Sequence, residues 1–392
     1  MRAAFHTGLH AALVAGALAL TTSASQAAAW KLTLIEQADP PAWQRQQLER
    51  AYPGHSGGSL KAAIALGLED AQFETQAAQT TLKLQTEASP SLEAAREAAR
   101  QAEKAGAQAL LLDLPADWVR AVAGAVKLPV LNLSARDQAL RERDCQPQLF
   151  HLIASERMRA DALAQALASR KWGQVLLLSG NAPDDAARSQ IAQQAIQRYG
   201  LKLVAQRPFK LSTDPRERQL ANPLLLTGGL GYDVVWVVDS EGEFARSLPF
   251  NTASPRPVVG DGGVVALEWQ PQYERYGAPQ LSRRFQKATG RAMQATDWAG
   301  WVAGRALANA ALTLRSADAQ ALRQALGGIS VDGAKGVALQ FRPWDRQLRQ
   351  PLLLSDGQGV QALAPAEGVL HPRNVLDTLG ADEPEKLCKV QP

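Results

Sequence analysis

Short apolar, often β-branched runs alternate along this chain with longer Ala-rich stretches whose apolar side chains recur at helical spacing. The runs Lys31–Glu36, Leu82–Thr86, Ala109–Asp113, Val130–Ser134, Val175–Ser179, Lys202–Gln206, Val234–Asp239 and Val258–Gly260 predict strands. Between them the pattern predicts helices over Leu60–Gln72, Ser91–Ala105, Ala116–Ala125, Ala160–Ser169, Asp184–Tyr199 and Asp214–Leu220. Strict β/α alternation implies parallel sheets covered on both faces. The uninterrupted apolar strands at 109–113 and 234–239 suit sheet centres. The series starts twice, over Trp30–Arg143 and again over Trp172–Gly263, with Phe150–Ile153 in the link. A helical return follows over Tyr273–Thr289, Asp297–Leu314 and Ala319–Leu326, then the less regular Gly336–Phe341 and Gln350–Ser355 and a Pro- and charge-rich tail.

The expected fold is α/β: two doubly wound parallel-sheet lobes joined by a three-strand hinge near Phe150–Ile153, Gly263–Leu267 and Ser330–Gly336. The first lobe takes residues 30–151 and 265–329, the second 152–264 and 330–363, and the tail 364–392. Neither lobe is expected to fold from one half of the chain, because each needs segments from both sides of the crossings.

The amino terminus changes where this fold is expected to work. Arg2 precedes the apolar run Ala11–Leu20, and Ser23–Ala29 offers small-residue cleavage sites before Trp30. That is the pattern of a secretory signal peptide over residues 1–27, with an apolar core too short to span a membrane. The mature chain is therefore expected to leave the cytoplasm. Its charge is mild: the full chain carries +4, and cleavage would remove Arg2. Acidic and basic residues are interspersed without a basic stripe, which argues against nucleic acid as a partner. Two cysteines in an exported chain, Cys145 and Cys388, read as one disulfide tying the tail to the first lobe rather than as a metal site. The alternative is two unpaired thiols, with Cys145 buried and Cys388 on a loose end. No cofactor or metal is implied.

Motifs with catalytic potential are weak. Gly54-His55-Ser56-Gly57-Gly58 has the form of a nucleophile elbow, but that chemistry needs a strand directly before the turn. The preceding residues are charged and end in Pro53, so a Gly-rich loop leading into the helix fits better. Thr227–Gly231 precedes a strand instead of following one, which makes it a turn rather than a dinucleotide loop. Asp184 and Asp185 open a helix and are expected to cap it. The chain is not expected to be an enzyme.

Several segments in order resemble the type I periplasmic binding proteins of the leucine/isoleucine/valine-binding branch. Gly58–Asp70 resembles that family's first helix, Leu128–Arg136 its proline-containing strand and ligand loop, Val258–Gly262 its strand ending in G-E-G, and Gly333–Gln347 its closing stretch. The tail, with His371-Pro372-Arg373-Asn374, Leu376–Gly380 and Cys388 beside Phe341–Asp345, resembles the substrate-binding proteins that accompany PQQ-dependent alcohol dehydrogenase systems. The resemblance implies a monomeric periplasmic component of an ABC importer, with a small-molecule ligand and an inner-membrane permease as partners. A ligand sensor or accessory of alcohol oxidation is the alternative it leaves open.

Ligands of open parallel sheets bind beyond the carboxyl ends of the strands. Together with the resemblance this nominates Ser134, Ala135, Arg136, Asp239 and Asp261, with Trp43 and Trp118 as stacking candidates. Relatives use hydroxyls and backbone N–H groups for a ligand carboxylate. Here Arg136 replaces a threonine, Asp261 a glutamate, and expected aromatics are missing, which argues against a plain branched-chain amino acid. Arg136 and Asp261 are expected to meet a small polar or anionic ligand from opposite lobes. The blander role of Arg136 is a surface pair with Asp137 or Glu142; the tryptophans could equally be packing.

Overall fold

Residues 28–38, 58–314 and 316–389 are described by a computed structural model. The first series forms β1 (Ala28–Gln37), β2 (Thr80–Ser89), β3 (Ala109–Asp113), β4 (Val130–Asn132) and β5 (Leu149–His151). They make an all-parallel sheet in the order β2-β1-β3-β4-β5. The second series forms β6 (Gln174–Ser179), β7 (Lys202–Pro208), β8 (Val234–Val238) and β9 (Val258–Gly260), parallel in the order β7-β6-β8-β9. Both sheets are thus doubly wound, and the four strands of the second repeat the order of the first four of the five-stranded sheet. β10 (Val265–Leu267) later pairs antiparallel in a third sheet; β11 (Val331–Asp332), β12 (Ala338–Phe341) and β13 (Leu348–Arg349) form a small antiparallel sheet. β14 (Leu352–Ser355) and β15 (Val360–Ala364) complete the sheet begun by β10.

The first lobe is held by the helix Ala295–Leu312, buried on nearly every side, against Lys61–Glu69. The two backbones approach so closely that a Cβ on Gly67 would strike the Trp301 carbonyl, and one on Gly304 the Ile64 carbonyl. This packing fixes the start of Lys61–Glu69 beside the end of β1, where Glu36 accepts from Leu60 N–H at 2.8 Å and from the Ser59 hydroxyl at 2.8 Å.

In the second lobe the helix Glu156–Ser169 starts four residues earlier than its apolar pattern suggests. Ser155 caps it by accepting from Met158 N–H at 3.2 Å, and its charged first turn is buried by ion pairs. Leu60–Gln72 divides into Lys61–Glu69 and Gln72–Ala77, and the expected helix Asp214–Leu220 is a 3-10 turn, Pro215–Ala221.

Three crossings join the lobes, and side chains stitch them together. Gln347 donates to the carbonyls of His151 (3.2 Å) and Ile153 (3.0 Å), Gln350 donates to that of Leu152 (2.7 Å), and Glu268 accepts from Ala154 N–H (3.0 Å). Val331, Leu339, Phe341, Leu348 and Leu353 belong to the first lobe's core. Leu352 and Leu354 belong to the other core, so side chains of β14 alternate between the two. The tail is also more than a loose end, since Leu379 is buried in the second core. Cys145 and Cys388 form the expected disulfide, with Cα atoms 5.7 Å apart. No helix among the described residues is long and apolar enough to cross a membrane. Residues 1–27, where a signal peptide is expected, lie outside those residues.

Candidate functional site

A cleft of about 1000 Å³ opens between the lobes. The first lobe lines it with its strand ends: Glu36 and Gln37 closing β1, Ala88 in β2, Asp113 at the end of β3 with the following Leu114 to Asp117, and Ser134 to Ala139 after β4. The second lobe lines it mainly with helix surfaces, through Glu156 and Arg157 at one helix start and Asp184, Arg188, Ile191 and Gln194 along Pro183–Arg198.

The loop after β4 is shaped by Asn132. Its Oδ1 accepts from Ala135 N–H (2.9 Å) and Ser134 N–H (3.3 Å), and its Nδ2 donates to the Ala135 carbonyl (2.7 Å). The two backbone donors are therefore spent inside the loop, and Ser134 offers the cleft its side chain. Arg136 lines the cleft, but its guanidinium donates at 3.0 Å to Glu268, which is wholly buried. Its partner is thus neither Asp137 nor Glu142. Burial alone would raise the Glu268 carboxyl; Arg136 and Arg159 outweigh it and hold it below the usual range.

Asp261 stands at the end of β9 but does not line the main cleft. Its carboxylate accepts from Asp239 N–H at 2.8 Å and pairs with Arg188, which does face the cleft. Asp239 is turned inward as well, accepting from Ala245 N–H (2.9 Å) and Glu241 N–H (3.2 Å) to cap the helix Glu243–Ser247. Burial pushes its carboxyl above the ordinary range. Trp118 is half-buried and packs on the first lobe's core, outside the cleft lining. Trp43 lies outside the described residues, as does Ser56 of the nucleophile-elbow pattern. Asp185 behaves as a helix-start residue, accepting from Ala182 N–H (3.0 Å) and Ser240 N–H (2.8 Å).

Three residues that sequence reasoning missed organise the floor. Glu156 sits among Arg159 (3.3 Å), Arg188 (3.7 Å) and Arg136; burial would raise its carboxyl, but these three cations prevail and hold it at about 2. Arg188 lines the cleft and pairs with Asp261 behind it. Its signal was helical spacing, since Asp184, Arg188 and Ile191 fall at i, i+4 and i+7 on one face. Glu268 had no local signal, because its partner is 132 residues away. Arg136 Nε and Arg188 Nη1 are buried N–H groups without an acceptor among the described residues. The floor therefore holds balanced, buried charge, with two guanidinium N–H groups left unpaired inside it. No cluster of three or more His, Cys, Asp or Glu suited to a metal occurs among the described residues.

No family model matches this chain, and no curated protein matches it. Solved structures do. A branched-chain amino acid ABC transporter periplasmic ligand-binding protein from Burkholderia xenovorans LB400 matches with a TM-score of 0.67 at 14% identity, over 83% of this chain and 89% of that one. An ABC transporter substrate-binding protein from Desulfitobacterium hafniense, in complex with leucine, matches at 0.64 and 15% identity, over 84% and 98%. An ABC transporter solute-binding protein from R. palustris, in complex with benzoate, matches at 0.64 and 12% identity, over 86% and 95%. The fold is that of the type I periplasmic binding proteins.

Proposed function

We propose that this chain is the ligand-capture component of an ABC importer, working in the periplasm as a monomer with an inner-membrane permease. The observation that carries this reading is the position of the cleft: it lies beyond the strand ends of the first sheet and faces the second lobe across a three-segment hinge. Hinged lobes close when a ligand makes contacts that exist only in the closed state. The ligand we propose is small and carries a carboxylate or similar polar oxygen group, received by Ser134 and Arg136 of the first lobe and Arg188 of the second. Asp261 serves the site by holding Arg188. The structural neighbours solved with leucine and benzoate support a carboxylate-bearing ligand. A link to PQQ-dependent alcohol oxidation rests on the tail resemblance, and there a non-transporting sensor is the second reading.

Native mass spectrometry of protein purified from its own periplasm, followed by calorimetry with any molecule retained and with panels of amino and aromatic acids, tests the proposal. Saturable binding of one such acid, lost on blocking the cleft with Ser134→Trp, is the expected result. Saturable binding that survives that block would place the site elsewhere, and absence of binding across both panels would overturn the ligand class. Ligand uptake that persists after deletion of the neighbouring permease would favour the sensor.

A further inference from the structure

The tail makes a connection between the lobes that the three crossings do not. Up to Gly380 it belongs to the second lobe: Thr378 accepts from Gln165 (3.0 Å) and Tyr199 (2.8 Å), Leu379 is buried in the core, and Gly380 N–H donates to Asp161 at 2.8 Å. Asp377 just before is clamped by Arg342 (2.9 Å) and Arg349 (2.7 Å). From Ala381, whose carbonyl accepts from Trp344 at 3.2 Å, the chain leaves that lobe, turns through Glu383–Glu385 and ends in the disulfide to Cys145. Cys145 belongs to the first lobe, between the Gln138–Arg141 turn and β5.

On the way the strand of tail touches the cleft wall. Glu385 pairs at 2.6 Å with Arg157, on the second lobe's first helix, and Arg157 also lies 3.8 Å from Glu142 of the first lobe. Arg157 and Glu142 both line the cleft. One edge of the cleft is therefore crossed by an ion-paired and covalently closed bridge.

We propose that residues 381–388 form a strap that restrains lobe opening. Moving Glu142 and Cys145 away from Arg157 obliges the segment to follow, and it can do so only by giving up the Glu385–Arg157 pair and unwinding the turn at 383–385. The covalent end sets an outer bound, since eight residues at full extension reach only about 27 Å. Within that bound, each broken contact adds to the cost of opening, so the strap biases the ligand-free protein toward narrow cleft widths. This inference concerns opening alone and stands whether or not the proposed ligand class is right.

The test uses the full mature chain without ligand, in four states: oxidised, oxidised then reduced with a phosphine under native conditions, Cys388→Ser, and oxidised Glu385→Ala. Small-angle X-ray scattering reads the lobe separation, and circular dichroism checks that each state is folded. The expected result is a rise in radius of gyration, above the roughly 21 Å of a compact chain of this size, on reduction and in C388S. A smaller rise is expected in E385A, where the covalent end persists. If C388S does not fold, reduction of the already folded protein and E385A give the answer without it. A lowered melting temperature with unchanged scattering in every folded state would make the bridge a mere tail staple and overturn the strap.

Discussion

The two sheets share the order of their first four strands, yet their carboxyl ends do different work. In the first lobe the residues at the strand ends, Asp113 closing β3 and Ser134 following β4, line the cleft. In the second, the acids after β8 and β9 are drawn back into the lobe: Asp239 caps a helix and Asp261 holds Arg188 and a backbone N–H. The second lobe then meets the cleft with a helix face. A strand-end position thus brings a residue to the site, but local demand decides where its side chain is used. Buried N–H groups and guanidiniums need acceptors, and leaving one unsatisfied costs on the order of 1–3 kcal/mol. The second lobe meets that demand with the carboxylates that the fold alone would assign to the ligand.

The largest expected effect lies at the pair that joins the two sides. Glu268→Ala should destabilise the protein by about 3–5 kcal/mol in urea titration, because it strands a buried guanidinium and the Ala154 N–H. Joint replacement, Arg136→Leu with Glu268→Leu, should restore most of that loss. A mild effect of the single change would mean that Arg136 finds solvent, and so faces the ligand as freely as Ser134 does.

Glu156 gives the comparison a pH signature. Its folded carboxyl is held at about 2 against an ordinary 4.5. The unfolded chain therefore takes up its proton first on acidification. The stability this group contributes is fully present above about pH 4.5 and is lost as pH falls toward 2. Glu156→Gln should remove that part of the acid slope. Parallel stability curves for wild type and E156Q between pH 5 and 3 would show that the three arginines do not act on it.

Asp261→Ala should cost about 1.5–3 kcal/mol, the worth of a charge-assisted hydrogen bond, and should weaken ligand binding by roughly tenfold or more through the released Arg188. Lost stability with intact affinity would detach Arg188 from the site.

The smallest effects separate the lobes most cleanly. Asp239→Ala removes a helix cap and should cost about 0.5–2 kcal/mol without touching affinity. Ser134→Ala should leave stability within about 0.5 kcal/mol while lowering affinity several-fold. If the two variants exchanged these outcomes in melting and calorimetry, the assignment of the two strand ends would be reversed.

The hydrophobic pattern alone carried the doubly wound lobes. Val234–Val238 can be an unbroken apolar strand only where helices cover both faces, and repeated β/α alternation leaves few other arrangements for it. The pairing of Cys145 with Cys388 was also legible, because two cysteines admit one bridge. So was the loop at Ser134–Arg136, through its place after a strand. Tertiary structure alone decided what those residues face. Arg136 meets Glu268 across 132 positions and Arg188 meets Asp261 across 73. The first turn of Glu156–Ser169 reads as solvent-facing, but Glu156 pairs with Arg188 and Arg157 with Glu385. Val331, Leu339 and Phe341 pack in the first core and Leu352 and Leu354 in the second, a division that no local pattern announces. Periodicity reports which face of an element is apolar, a local property. Which distant charge satisfies a buried one depends on where the chain returns, and only the folded molecule specifies that.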